Sequence, residues 1–488
     1  MSASLRVAYI TTELAPYAKS GELADVAAAL PKYLSSLGVE VAVFLPYYRR
    51  PELESLEKEV VCASLPVYLG GRVVKGRIWR SDAGRFVLFL VDNPRYFWRE
   101  NIYGSGRGDY LDNDERFIFF SKAVLETIHY LGKKFDVLHC NSWPTALIPV
   151  FLKTLYQRKK IFQQTATVLT LHNVAYQGIF PPESLALTGL NWKYLQSGLL
   201  SLNGHFNFLK AGIVYADMLN TVSSSYRKEL WTQKHSHGLA HILKTRRDEL
   251  VSIRNGIDYE IWDPENDKYI SWNYRPGDLE GKRKNKLDLL EEFQLSLDPN
   301  VPLLGTSFYF AAHKGVDLIL GAMDELMKME LGLVILGRGE EIYERSFLSF
   351  VKKYPHRLAV RFDWSPALVH KLAAGVDIFL IPSLSEPCGL NQLYSFRYGS
   401  VPVVRTVGGL QETVRHVDPR TGKGNGFVFK EYTPEALIAA VQEAIKCYRR
   451  PSLWRKIVRQ GAAKNYSWET SARRYLRLYQ QALRKQKN

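Results

Sequence analysis

Short apolar runs alternate with longer amphipathic ones along the first half of the chain. The strand-like runs are LRVAYIT, EVAVFLPY, RFVLFLVD, FDVLHC, ATVLTLH and DMLNTVS. Between them lie segments with helical spacing, such as ELADVAAALPKYLSSLG and DERFIFFSKAVLETIHYL. This alternation predicts a mostly parallel sheet with helices on both faces. After LVSIRNGIDYEIWDPEND the texture changes. Residues 260–282 are rich in Asp, Pro, Asn and Trp, as a connector would be. A second alternating series follows: PLLGTSFYF, GVDLILGAMDEL, LGLVILG, RLAVRFDW, ALVHKLAAG, DIFLIPS and VPVVRT. The pattern therefore predicts two Rossmann-like halves joined near 260–280, with ligands at the carboxyl ends of the strands. There is no internal repeat or low-complexity segment.

Length agrees with this division. A chain of 488 residues exceeds what one hydrophobic core organises. Hydrophobic residues at 46% and charged residues at 23% are ordinary for a globular protein. The four cysteines, Cys62, Cys140, Cys388 and Cys447, lie far apart and fit neither a metal site nor a disulfide scaffold. A reducing, cytoplasmic setting is the expectation. The start, MSASLRVAYITTELAP, reads as a first strand rather than a signal peptide. No run approaches a membrane span. The net charge of +16 is compatible with nucleic acid, an acidic surface or anionic small molecules. Its clusters (QRKK, GKRKNK, RKQK) are short, and no nucleic-acid motif accompanies them. Neither nucleic acid nor membrane is an expected partner.

One stretch poses a chemical puzzle. In KSGELADV, Lys19, Ser20 and Gly21 open a helix after an apolar strand, the arrangement of an anion-binding turn. The next residue is Glu22, a fixed negative charge.

KSGELADVAAALP, LHNVAYQGIF, NFLKAGIVYAD, RNGIDYEIWDP, HKGVDLIL and EPCGLNQLYSFRYGSVPVV with GGLQETV resemble, in order, the motifs of bacterial glycogen synthases and plant starch synthases. The resemblance runs from about residue 5 to about 483. It implies an α/β GT-B fold, two Rossmann-like parallel-sheet domains facing a central cleft. Residues 1–260 would form the acceptor-side (starch synthase catalytic) domain and residues 261–463 the nucleotide-sugar domain. Residues 464–488 would be a C-terminal helix packing back on the first domain. The implied reaction moves glucose from ADP-glucose to the 4-hydroxyl of an α-1,4-glucan, with retention and without a metal or other cofactor. ADP-glucose and glycogen or starch are the implied partners.

The resemblance also assigns residues. His172 would contact the sugar, Lys314 would bind the diphosphate, and Glu386 would engage the sugar or transition state. Lys19 and Gly21 would meet the donor. Asn255, Trp364, Gly408 and Gly409 would line the substrate, as would Cys388, Gly389, Leu390 and Asn391 at a helix start. Each has a plain structural alternative: Asn255 as a turn residue, Trp364 as core, Cys388 as a small buried filler, the glycines as turns.

Several positions depart from the family pattern. Glu22 replaces a glycine; two unit charges ~4 Å apart interact by roughly 4 kcal/mol at an effective dielectric of about 20, so a diphosphate would feel it. Tyr309 and Leu384 stand where the family has arginines. Asn141 and Ser142 replace His and Asp, Ala240 and His241 replace Asp and Gly, and Val407 replaces Thr. Arg361 and Arg405 are candidates to compensate. The departures leave three readings open: a synthase, a catalytically impaired homologue that binds glucan or a partner, and a GT-B enzyme with another donor or acceptor.

Overall fold

The computed structural model describes residues 4–105, 108–363 and 365–487. It divides into two compact units, residues 1–255 with 468–488, and residues 256–467.

The first unit is built on a nine-stranded sheet: β1 (Arg6–Ile10), β2 (Glu40–Pro46), β3 (Glu59–Leu69), β4 (Arg72–Asp82), β5 (Val87–Asp92), β6 (Val137–Asn141), β7 (Ala166–Leu171), β8 (Met218–Thr221) and β9 (Leu250–Ser252). Their order is β9-β8-β7-β6-β1-β2-β5-β4-β3. All neighbours are parallel except the pairs of β4 with β3 and with β5. The central strands read as unbroken apolar runs because helices cover both faces; β6 and β7 are buried at every position. The β3–β4 hairpin turns on Gly70 and Gly71, both at positive φ, which a two-residue hairpin turn requires.

Helix α1 (Glu22–Ser36) follows β1 and buries Ala24, Ala27, Leu30, Pro31 and Leu34, one face of a helical repeat. Helix α2 (Asn113–Leu131) is more deeply enclosed and ends on Gly132 in the left-handed conformation. The C-terminal helix Trp468–Lys487 belongs to this unit and packs on α1, β7 and β8. It buries Trp468, Ala472, Tyr475, Leu478, Tyr479 and Ala482, again at helical spacing. Two of its tyrosines reach polar groups of the sheet. The Tyr475 hydroxyl accepts from Asn220 Nδ2 at 2.8 Å, and the Tyr479 hydroxyl lies 2.8 Å from His139 Nδ1.

The second unit holds a six-stranded, wholly parallel sheet: β10 (Leu303–Ser307), β11 (Gly332–Leu336), β12 (Leu358–Arg361), β13 (Ile378–Ile381), β14 (Val401–Arg405) and β15 (Phe427–Phe429), in the order β12-β11-β10-β13-β14-β15. Helices α3 (Leu279–Glu292), α4 (Val316–Lys328), α5 (Pro366–Gly375), α6 (Asn391–Arg397) and α7 (Pro434–Tyr448) connect or flank the strands. On one face Phe310 meets Phe308, Phe347 and Phe362, ring centroids 5.1–6.1 Å away. Among the described residues no helix is long and apolar enough to cross a membrane. All four cysteines are free and buried.

Candidate active site

In the first unit the sequence candidates gather at the carboxyl ends of β1, β6 and β7, where a parallel sheet leaves its open crevice. β1 runs into Thr11, Thr12 and Glu13, and its hydrogen-bonding register aligns Tyr9 with His139. β6 ends at Asn141, in register with Thr170 of β7, and His172 follows directly after β7. His172 Nε2 lies 3.0 Å from Asn141 Oδ1, which also accepts from the Tyr9 hydroxyl at 3.1 Å. Burial pushes the His172 pKa down to about 4. The deeper His139 is pushed down to about 3, by burial first and then by His172. Ser142 stands at φ 59°, ψ −175°, a conformation that costs a non-glycine residue on the order of 1–3 kcal/mol.

The KSG turn already holds an anion, and it is not the one the sequence suggests. Glu13, 4% exposed, points its Oε2 at the Ser20 and Gly21 N–H groups, at 2.8 and 2.9 Å. Its Oε1 accepts from the Tyr103 hydroxyl at 2.9 Å. Glu13 thus caps amides just before α1, whose N-cap Gly21 offers no side chain. Lys19 Nζ sits 2.8 Å from both oxygens of Asp25 in the first turn of α1. Lys19 is 45% exposed at its side chain, so this pair is worth only about 0–1 kcal/mol and yields readily to a ligand. Glu22 opens the helix, where a carboxylate suits the positive end of the dipole.

In the second unit the candidates converge on the carboxyl ends of β10, β13 and β14. Lys314, in a short 3-10 turn after β10, places Nζ 2.9 and 3.1 Å from the two carboxylate oxygens of Glu386. Glu386 follows β13 and is 4% exposed; Ser383 Oγ donates to its Oε2 at 3.0 Å. Two glycines let the loop after β14 press against the Glu386 loop. A Cβ on Gly408 would stand 2.0 Å from the Glu386 carbonyl oxygen, and one on Gly409 2.0 Å from that of Cys388. The Gly409 N–H donates to the Glu386 carbonyl at 3.0 Å. Close backbone approach is what both glycines permit.

Gly389 is at φ 69°, and Cys388 and Leu390 are buried. Helix α6 begins at Asn391, whose Nδ2 donates to the Ser307 carbonyl at 2.8 Å, so this side chain ties the helix to β10. Gln392 Nε2 donates to the carbonyls of Cys388 and Gly389 and locks the same turn. Of the two arginine candidates, Arg361 is committed to Glu292, through Oε1 at 3.1 Å and the carbonyl at 2.6 Å. Arg405 donates to the carbonyls of Leu384 and Lys430, at 3.0 and 3.1 Å, and so braces the Glu386 loop. Tyr309 and Leu384 are 46% and 42% exposed. Asn255, the last residue of the first unit's long segment, is buried; its Oδ1 has no hydrogen-bond partner among the described residues. Trp364 lies outside the described residues.

Glu13 and Gln392 were absent from the sequence-derived site, Arg405 entered it only as a candidate to compensate for lost arginines, and Asn141 only as a lost histidine. The signal for Glu13 was its position, an acid just past the carboxyl end of the first buried strand.

Two parallel α/β units with charged groups at their strand ends fit the two halves of a GT-B fold, and the matches to known families and structures make the chain a glycosyltransferase. Residues 6–245 match the family described as Starch synthase catalytic domain, and residues 290–461 match Glycosyl transferases group 1. A glycogen synthase of Koribacter versatilis is 41% identical over 481 residues, covering 98% of both chains. One from Thermotoga maritima is 40% identical over 489 residues, covering 99% of both. Among solved structures, the catalytic domain of starch synthase IV from Arabidopsis thaliana, bound to ADP and acarbose, superposes with a TM-score of 0.92 at 30% identity, covering 99% of this chain and 100% of that one. The chain belongs to the glycogen synthase and starch synthase family.

Proposed function

We propose that this chain transfers glucose from ADP-glucose to the non-reducing end of an α-1,4-glucan, with retention of configuration and in the cytoplasm. The observation that carries this reading is the Lys314–Glu386 pair: a buried carboxylate and its cation, supplied by two neighbouring strand ends of a parallel sheet. Lys314 neutralises the leaving diphosphate, and a point cation suits its diffuse charge. Glu386 engages sugar hydroxyls and favours the positive charge that builds at the anomeric carbon. Lys19 contacts the donor, and His172, neutral in its partly buried setting, contacts the sugar. The diphosphate departs on the face the acceptor enters, through an oxocarbenium-like state. No metal is needed where lysines balance the charge. The relatives named glycogen synthase and the neighbour bound to ADP and acarbose support the choice of donor and acceptor.

A second reading, glucan binding without turnover, is motivated by Tyr309 and Leu384 at positions where the family has arginines. Incubating the purified protein with labelled ADP-glucose and glycogen decides between them. Equal ADP release and label incorporation are expected. Glycogen binding without release supports the second reading, and turnover only with another sugar nucleotide points to a different donor.

A further inference from the structure

Asn141 is fully buried at the end of β6, and its amide can face only one way. Nδ2 lies 3.0 Å from the Ile10 carbonyl and 3.5 Å from the His139 carbonyl. Carbonyls only accept, so the nitrogen must face them. Oδ1 is thereby turned towards the Tyr9 hydroxyl at 3.1 Å and His172 Nε2 at 3.0 Å. An amide oxygen also only accepts. Nε2 of His172 must then carry a hydrogen.

We infer that Asn141 is a positioning residue for His172: it holds the imidazole as the Nε2–H tautomer and leaves Nδ1 as a hydrogen-bond acceptor for a sugar hydroxyl. The sugar contact rests on the function proposed above; the tautomer does not. The family pattern has a histidine at position 141, and an imidazole there could donate or accept. The asparagine removes that choice, because Ile10 takes its hydrogens. Tyr9 from β1 meets Asn141 directly, and the titratable rings packed on the neighbouring His139 are Tyr9 and, from the C-terminal helix, Tyr475 and Tyr479. Burial raises Tyr9 and Tyr479 and lowers both histidines. All four ring systems named in these shifts are therefore neutral near pH 7, and none competes with Asn141 for the Nε2 hydrogen by charge.

The test is nitrogen NMR of the full-length protein labelled at histidine, with His172→Gln identifying the His172 signals. The expected wild-type spectrum shows the Nε2–H pattern at pH 7. Asn141→Leu, similar in size but without an acceptor, is expected to lose that pattern and to lower kcat about 10- to 100-fold with the KM for ADP-glucose little changed. Asn141→Asp keeps an acceptor towards His172 and, protonated, can still donate to the Ile10 carbonyl, so the Nε2–H pattern is retained. An Nδ1–H pattern in the wild type overturns the inference. So does a folded Asn141→Leu that keeps both the wild-type pattern and full kcat. If Asn141→Leu does not fold, the wild-type and Asn141→Asp spectra decide. If the wild type transfers no glucose, the proposed function fails, and the spectra still decide the tautomer.

Discussion

Replacing Lys314 by methionine separates the ion pair it makes with Glu386 from the diphosphate contact proposed for it. In the resting chain Lys314 Nζ neutralises Glu386 from 2.9 and 3.1 Å, and the side chains are 23% and 5% exposed. Removing the cation strands a nearly buried carboxylate, which typically costs about 3–5 kcal/mol; partial exposure of the lysine puts the expected loss at about 3 kcal/mol. On the proposed diphosphate contact, the same change removes one charge-assisted bond worth about 1.5–3 kcal/mol, so ADP affinity falls roughly 10- to 100-fold. The double variant Lys314→Met/Glu386→Gln removes the stranded charge. Its stability returns to within about 1 kcal/mol of wild type, because replacing both members of a buried pair is nearly neutral. Its ADP affinity stays low. Denaturant unfolding of the second unit and calorimetric titration with ADP read the two effects separately. If the double variant recovers ADP affinity as well, Lys314 acts only by offsetting Glu386, and the diphosphate role is refuted.

Acid should weaken the first unit through two histidines. His172 and His139 are held near 4 and 3, below the ordinary 6.5, so both are neutral in the fold. The unfolded chain takes up these protons first; the stability they contribute is complete above about pH 6.5 and falls by on the order of 3 kcal/mol each by pH 4. Urea midpoints measured from pH 7 to 4.5 check this, and His172→Gln should lessen the slope; an unchanged slope contradicts it. Gly409→Ala needs no unusual backbone, yet its Cβ would stand 2.0 Å from the Cys388 carbonyl oxygen. It should cost about 1–3 kcal/mol and displace Glu386, and a melting temperature and kcat equal to wild type would refute the packing role. Glu22→Gly removes a carboxylate beside the KSG turn and should tighten ADP-glucose binding, measured by calorimetry; an unchanged or weaker Kd removes the electrostatic reasoning.

Local signals carried the strands, the helices and the motifs at their ends. Fully buried parallel strands such as ATVLTL appear as apolar runs, and His172, Lys314 and Glu386 stand one to seven residues beyond such runs. Contacts across the sheet carried no such signal. Glu13 meets amides seven and eight residues onward only because the chain doubles back, with Leu14 bridging Ala18. Asn141 meets a histidine 31 residues away through strand register, so in one dimension it registers only as a substitution. The guanidinium groups of Arg361 and Arg405 were equivalent candidates until Glu292 and the Leu384 carbonyl distinguished them. The C-terminal helix shows its apolar stripe in sequence, but not that Tyr479 would reach His139, 340 residues earlier.

The most direct measurement compares wild type with Glu386→Gln in steady-state transfer from ADP-glucose to a maltooligosaccharide. The introduced amide is close to isosteric with the carboxylate and can still accept from Lys314 and Ser383, so the fold should survive. The expected result is ADP release matched by new α-1,4 linkages in the wild type, and a kcat lower by about 100-fold or more in the variant, with KM little changed. Wild-type turnover no faster than that of the variant would contradict the assignment of Glu386 to the reacting sugar.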